Sequence, residues 1–350
     1  MGAGPAGSAC AITAARSGAR VLLLDKDRFP RHKVCGEFVS SESLRLLRSL
    51  LVEGIEDFDT RLEVPSARIF IDDKSISFPV DPPARSIPRY DLDSDLLASA
   101  KRCGVSVAEG SSVRAVERNA HFTVRTCDAA FASSAVVNSS GRWSQLTQYA
   151  AAEKGKWIGL KAHFQEGDAP RSVDLYFFSG GYCGVTPVDD GKVNACAMVR
   201  AGTARTMDEV LAAHPELWRR SRDWEPIFSP VTTSPLYFRR PETCAGEMLL
   251  AGDSAGFIDP FAGDGISLAL HSGALAAESL MPFFSGHCSL EAAQQAYGTA
   301  YLKRFLPAFR NAARLRALLA VPQWLRRRVL WVMGTRPVAS LIVRGTRARH

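Results

Sequence analysis

Two glycine-rich stretches hold the residues whose spacing points most clearly to chemistry. The first, MGAGPAGSACAITAARSGARVLLLDKD, sets Gly2, Gly4 and Gly7 in a G-x-G-x-x-G pattern. An Ala-rich helical stretch (Ser8 to Ser17), Gly18 and the apolar run Val21 to Leu24 follow, ending in Asp25. In a strand–turn–helix unit the first glycine permits the tight turn, and the second lets backbone N–H groups approach a pyrophosphate. The third lets helix and strand pack closely, and the helix N-terminus adds partial positive charge. Asp25 follows Gly2 at close to the ~20 residues at which a carboxylate accepts hydrogen bonds from an adenosine ribose. An acid there favours a free 2′-hydroxyl over a 2′-phosphate. Pro5 and Ala6 in the turn, and Lys26 beyond the acid, belong to the same candidate dinucleotide site.

The second stretch is LLAGDSAGFIDPFAGDGISLAL. Apolar Met248–Ala251 deliver Gly252 and Asp253 at a strand end, where doubly wound sheets bind ligands. Asp253 is a carboxylate suited to a polyol hydroxyl. Pro260 and Phe261 turn the chain, and Gly263, Asp264 and Gly265 let backbone approach a flat ring. A helix expected from Ile266 points its N–H groups and positive end at that ring. Against a flavin this arrangement stabilises negative charge on N1 and O2 of the reduced form.

Both sites, in this order, occur with the motifs GAGPAG, FPRHKVCGE, IPRYDLDSDLLASA, SSGRWS, GGYCGVTP and AGDSAGFIDPFAGDGI. Over residues 1 to 300 the chain thereby resembles the superfamily of FAD-dependent hydroxylases (flavin monooxygenases) and geranylgeranyl reductases. The K-x-C-G turn and GGY…P lean toward the reductase branch. The resemblance implies an α/β (α+β overall) fold: a Rossmann-like FAD-binding domain of the p-hydroxybenzoate hydroxylase type, an inserted antiparallel β-sheet substrate domain and a C-terminal helical segment. It implies non-covalent FAD. Gly2, Gly4 and Gly7 would hold its pyrophosphate, Asp25 its ribose, Arg89 its diphosphate region, and Asp253 the diphosphate or ribityl chain. Gly263, Gly265 and Ile266 would lie against the isoalloxazine, and Cys35, Gly36 and Glu37 would form a loop beside it. Arg31, Lys33 and Gly141 complete the expected cofactor site.

Two departures from the superfamily pattern bear on chemistry. Ser140-Gly141 stands where Asp-Gly is common, which puts direct docking of NAD(P)H as electron donor in doubt. Tyr182-Cys-Gly-Val-Thr-Pro187 replaces an aromatic-rich Tyr-x-Trp-x-Phe-Pro, which suggests a different or wider substrate cavity. No Trp-x-Trp-x-Ile-Pro occurs, which disfavours flavin halogenase chemistry.

The expected function is FAD-dependent C=C reduction of a hydrophobic small molecule, isoprenoid or polyketide-like. Hydroxylation or epoxidation with O₂ and NAD(P)H is the alternative. A flavin-free NAD-dependent dehydrogenase leaves residues 248–270 unexplained, and a cofactor-free scaffold remains the non-enzymatic rival. Three side chains are catalytic candidates. Cys35 is either a proton donor or a small residue in a tight turn. Glu37 either orients Lys33 or Arg31 or is a solvated loop charge. Tyr182 either bonds a substrate oxygen or is a half-buried strand tyrosine. His271 reads as packing. No metal site is expected, because the eight cysteines show no C-x-x-C or zinc spacing.

The elements that must position these residues fall into segments. The discontinuous FAD-binding domain is expected at 1–60, 88–155 and 241–300, and the β-rich substrate domain at 61–87 and 156–240, with one short helix at Met207–His214. The basic helical segment is 301–350. Only Met1 precedes Gly2, where a buried strand is expected. The sequence therefore predicts a frame continuing upstream, its GTG valine codon having been taken as the start.

At 350 residues, 46% hydrophobic and 23% charged, the composition is that of an ordinary globular protein. The net charge of +7 is concentrated in the tail: residues 301–350 carry twelve Lys/Arg and no acid, leaving 31 basic against 36 acidic residues before them. Nucleic acid is therefore not an expected partner. No apolar run reaches the ~18 residues of a membrane span. Scattered cysteines suggest a cytoplasmic protein without a signal peptide. The tail from Phe305 reads either as a helix covering the lobe or as a peripheral membrane contact, with Trp324 and Trp331 at the interface.

Overall fold

The computed structural model describes residues 1–52, 58–143, 157–189, 191–233, 236 and 238–319. Its first lobe is built around the two glycine-rich turns. Leu22–Leu24 pairs in parallel with Ser106–Ala108, and Val137–Asn138 pairs in parallel with Met248–Leu250, which Cys244–Ala245 borders antiparallel. Met1 and Gly2 bridge these two pieces. The Gly2 N–H donates to the Leu24 carbonyl at 2.7 Å, the Met1 amine donates to the Val137 carbonyl at 2.8 Å, and the Ser139 N–H donates to the Met1 carbonyl at 2.9 Å.

Helices cover this layer because their small residues allow close contact. Pro5–Arg16 packs along Gly265–Phe284 and touches Arg89–Arg102. A Cβ at Gly273 would run into the Ala6 carbonyl, and one at Gly7 would run into the Gly2 carbonyl and lie 2.6 Å from Ser139 Oγ. The spacing G-x-G-x-x-G thus serves packing at its third glycine. The helix Leu290–Leu319 lies against Gly265–Phe284 through buried Tyr297, Tyr301 and Phe305.

The second lobe is an eight-stranded sheet. Its order is Val231–Thr232, Trp157–Gln165, Lys192–Arg200, Gly181–Asp189, Ser172–Phe178, Glu63–Ile71, Lys74–Ser86 and Phe38–Val39. Neighbours are antiparallel except Ser172–Phe178, which runs parallel to Glu63–Ile71. The antiparallel expectation fails there because two hairpins distant in sequence meet edge to edge, which no local pattern records. Two smaller features are local. Pro215–Arg220 forms a second short helix after Met207–Ala212, begun by Pro at its first position and capped by the His214 side chain. Ala130–Ser133 adds a third strand to Ala115–Arg118 and Phe122–Arg125.

Among the described residues no helix is long and apolar enough to cross a membrane, and no group of His, Cys, Asp and Glu is arranged to hold a metal ion. The tail beyond Leu319, with Trp324 and Trp331, lies outside the described residues.

Candidate active site

A cavity of about 1090 Å³ lies between the lobes, and it gathers both glycine-rich turns. Gly2, Gly4, Pro5, Ala6, Asp25 and Lys26 line it from the first turn. Gly252, Asp253, Pro260, Gly263, Asp264, Gly265 and Ile266 line it from the second. Arg31, Lys33, Cys35, Gly36, Glu37, Arg89, Gly141 and Tyr182 complete the wall. Gly7 is the exception: it is buried behind the turn, where the close contact with Gly2 places it.

At one end the helix Pro5–Arg16 starts at Gly4 with no side-chain cap, so its first N–H groups are left for a ligand. The nearest atom to a Cβ built on Gly4 is Arg89 Nη2, at 3.7 Å. Arg89 grips the buried Asp93 through Nε and Nη2, both at 2.7 Å, and Arg31 Nη1 reaches the same carboxylate at 3.0 Å. Asp93 thereby fixes two guanidinium groups at this wall, in reach of the Gly4 turn. Burial works against the Arg89 charge, but Asp93 outweighs it and raises the guanidinium pKa. Asp25 is buried and accepts from the Ala3 N–H at 2.6 Å and the Asp27 N–H at 2.8 Å. The carboxylate is thereby held at the cavity edge, aimed by two backbone groups.

At the other end Gly263 adopts φ 74°, a left-handed turn that glycine accepts without strain, and the helix Gly265–Phe284 begins without a side-chain cap. Arg142 stacks over Phe257 at 4.2 Å and approaches Asp253 at 3.6 Å. Ser140 is exposed at the cavity rim, and its N–H and Oγ both donate to Asn138 Oδ1, at 3.1 and 2.6 Å. Asp259, behind this loop, is pushed up to about 7 by burial, against the pull of Arg316 at 3.2 Å.

The loop Cys35–Gly36–Glu37 differs most from expectation. Glu37 is neither solvated nor paired with Lys33 or Arg31. Lys33 pairs with Asp27 at 3.3 Å, and Arg31 with Asp25, Asp27 and Asp93. Glu37 is fully buried and bonds Lys161 Nζ, His163 Nε2 at 2.7 Å and the Arg89 N–H at 2.8 Å. Burial acts to raise its pKa, but the His163 hydrogen bond and the Lys161 charge prevail and hold it below the usual carboxylate range. Lys161, His163 and Asp93 were not singled out from the sequence. Their signal was available in WIGLKAHFQ, where a lysine and a histidine two apart interrupt an apolar strand.

Tyr182 is buried, not half-buried. Its ring lies against Phe177 and Phe261 (centroids 5.4 and 6.1 Å), and burial raises its pKa well above the ordinary value. His271 is buried and meets Arg304 Nη2 at 2.9 Å, away from the cavity wall. Beyond Tyr182 the cavity becomes apolar along the sheet. Ala67, Ile69 and Ile71 alternate on one face beside Val173, Leu175 and Phe177 of the parallel neighbour.

No family model matches the chain. It is 28% identical to the menaquinone reductase of Mycolicibacterium smegmatis, over 93% of this chain and 85% of the relative. It is 25% identical to digeranylgeranylglycerophospholipid reductase 2 of Methanosphaera stadtmanae, over 79% and 75% of the two chains. The fold superposes on a solved flavin-dependent brominase with a TM-score of 0.80 at 21% identity, covering 99% of this chain and 91% of that one. The chain is thus similar in sequence to reductases and in fold to a flavin-dependent enzyme. Ser140 and Gly141, and Gly184 and Thr186 after Tyr182, line this chain's own cavity.

Proposed function

We propose that the protein binds FAD non-covalently in this cavity and reduces a C=C bond of an apolar, isoprenoid or polyketide-like molecule. The observation that carries the reading is continuity: one cavity joins the Gly4 turn and Asp253 to the apolar sheet face at Ile69 and Leu175. The residues fit the cofactor. Two helix N-termini without side-chain caps face the cavity, and the Arg31–Asp93–Arg89 cluster lies beside the first. Gly2, Gly4, Pro5 and Ala6 would hold the pyrophosphate, Asp25 the ribose, and Gly263, Gly265 and Ile266 the ring.

When bound, FAD supplies hydride transfer. The chain supplies position, dryness and a proton. Saturating a C=C bond takes one hydride and one proton, the electron pair coming from a two-electron donor such as NAD(P)H. Cys35 Sγ is the proton-bearing atom we assign to this step. It lies in the cavity wall, its position is set by the Asn194 side chain, which donates to the Cys35 carbonyl at 2.9 Å, and the Arg89 guanidinium faces it. The apolar residues Ile69, Phe78, Val80 and Phe177 exclude water and order a hydrocarbon chain by burial.

Menaquinone reductase and digeranylgeranylglycerophospholipid reductase as relatives support reduction over oxygenation. Anaerobic turnover of the FAD-loaded protein with a reduced donor and a polyprenyl substrate is the test. Product formed without O₂ is expected; product formed only with O₂ would assign the monooxygenase reaction instead.

A further inference from the structure

We propose that Lys161 and His163 are positioning residues of the flavin site, acting through Glu37 to fix the Cys35–Gly36 segment of the cavity wall. The proposal rests on the reading that FAD occupies this cavity.

The two side chains are spaced i, i+2 on Trp157–Gln165 and therefore share one face of that strand. The alternate residues Leu160, Ala162 and Phe164 fill the core on the opposite face. Lys161 is fully buried and His163 nearly so. A lysine is tolerated there only with a partner, and Glu37, fully buried as well, is that partner. The Glu37 carboxylate receives Lys161 and the Arg89 N–H on Oε1, and His163 Nε2 on Oε2. With three donors it has no spare proton to trade, so its task is mechanical.

The backbone agrees. Glu37 sits at φ 58°, a left-handed conformation that a residue with a Cβ rarely takes and that persists only where its surroundings over-determine it. Those surroundings are specific. The Ile87 N–H donates to the Glu37 carbonyl at 2.9 Å, the Glu37 N–H lies 3.4 Å from Cys35 Sγ, and Asn194 Nδ2 holds the Cys35 carbonyl at 2.9 Å. The segment is thus anchored to two sheet strands and to the start of the helix that carries Arg89 and Asp93. Remove Lys161 or His163, and the strained residue loses a main anchor while Cys35 and Gly36, which line the cavity, lose their fixed place.

A purely structural ion pair would look similar in the fold, so the test reads the cofactor. Wild type, His163→Leu, His163→Gln and Lys161→Met are prepared as apoprotein and titrated with FAD by flavin fluorescence, with circular dichroism confirming the fold of each. The expected result is FAD binding weakened about tenfold in His163→Leu and Lys161→Met. Recovery is expected in His163→Gln, whose amide still donates to Glu37. Equal FAD affinity and equal flavin absorption in wild type, His163→Leu and His163→Gln would overturn the proposal, even if melting temperatures differ. Should Lys161→Met fail to fold, the His163 pair decides alone. Failure of the wild type itself to bind FAD would instead overturn the reading on which this proposal stands.

Discussion

Arg89 and Asp93, one helical turn apart on Arg89–Arg102, form a two-pronged pair, with both nitrogen–oxygen distances at 2.7 Å and the carboxylate wholly buried. Arg31 joins the same carboxylate from the loop after Asp25. One aspartate therefore orders two arginines at the wall beside the Gly4 turn. Asp93→Ala leaves two partly buried guanidinium groups without their shared anion, a change of about 3–5 kcal/mol. Urea denaturation should show that loss, and FAD content on purification should fall with it. A variant as stable as wild type would show that the cluster is not the anchor described here.

Gly7→Ala should be severe for a different reason. The added Cβ meets the Gly2 carbonyl, backbone against backbone, so the turn itself must shift. A loss of at least about 1–3 kcal/mol is expected from overpacking alone. Gly167→Ala is the control, since nothing lies within 4 Å of its Cβ. Thermal melts of the two variants side by side should separate clearly.

Asp259 sets a pH dependence. Its ordinary value of 3.8 is pushed up to about 7 by burial, so the folded protein holds a proton that the unfolded chain releases. A raised carboxyl contributes stability below its unfolded pKa and loses it as pH rises toward 7. Asp259→Asn should therefore flatten the fall of melting temperature between about pH 4 and 7. Glu37 acts in the opposite direction: its pKa is lowered, so its contribution is lost as pH falls into the acid range.

Cys35→Ala separates binding from chemistry. Cys35 lines the cavity with its thiol facing Arg89, whose guanidinium stays fixed by Asp93 without it. Turnover should fall about a hundredfold or more, the usual scale for a lost proton donor. FAD stoichiometry, read from the absorption spectrum, should stay at the wild-type value.

What the sequence made legible was local. Each glycine-rich turn carries its own signal within a short window, and both turns line one cavity as that signal requires. The parallel join of Ser172–Phe178 to Glu63–Ile71 and the pairing of Glu37 with Lys161 link residues about a hundred positions apart, and no window of periodicity contains both partners. The full burial of Tyr182 is not legible in the sequence for a related reason. Its strand alternates, but Phe177 and Phe261 close over it from two other elements. Lys161 and His163 do carry a local signal, since polar residues inside an apolar strand must find partners.

The central claim is that a single flavin–adenine molecule spans the cavity from the Gly4 turn to the Gly263–Ile266 loop. Acid release from the purified protein, followed by mass spectrometry of the supernatant, tests it directly. FAD in near-equimolar amount, or its stoichiometric uptake by the apoprotein, is the expected result. A colourless protein that takes up no FAD when the cofactor is supplied in excess would contradict it.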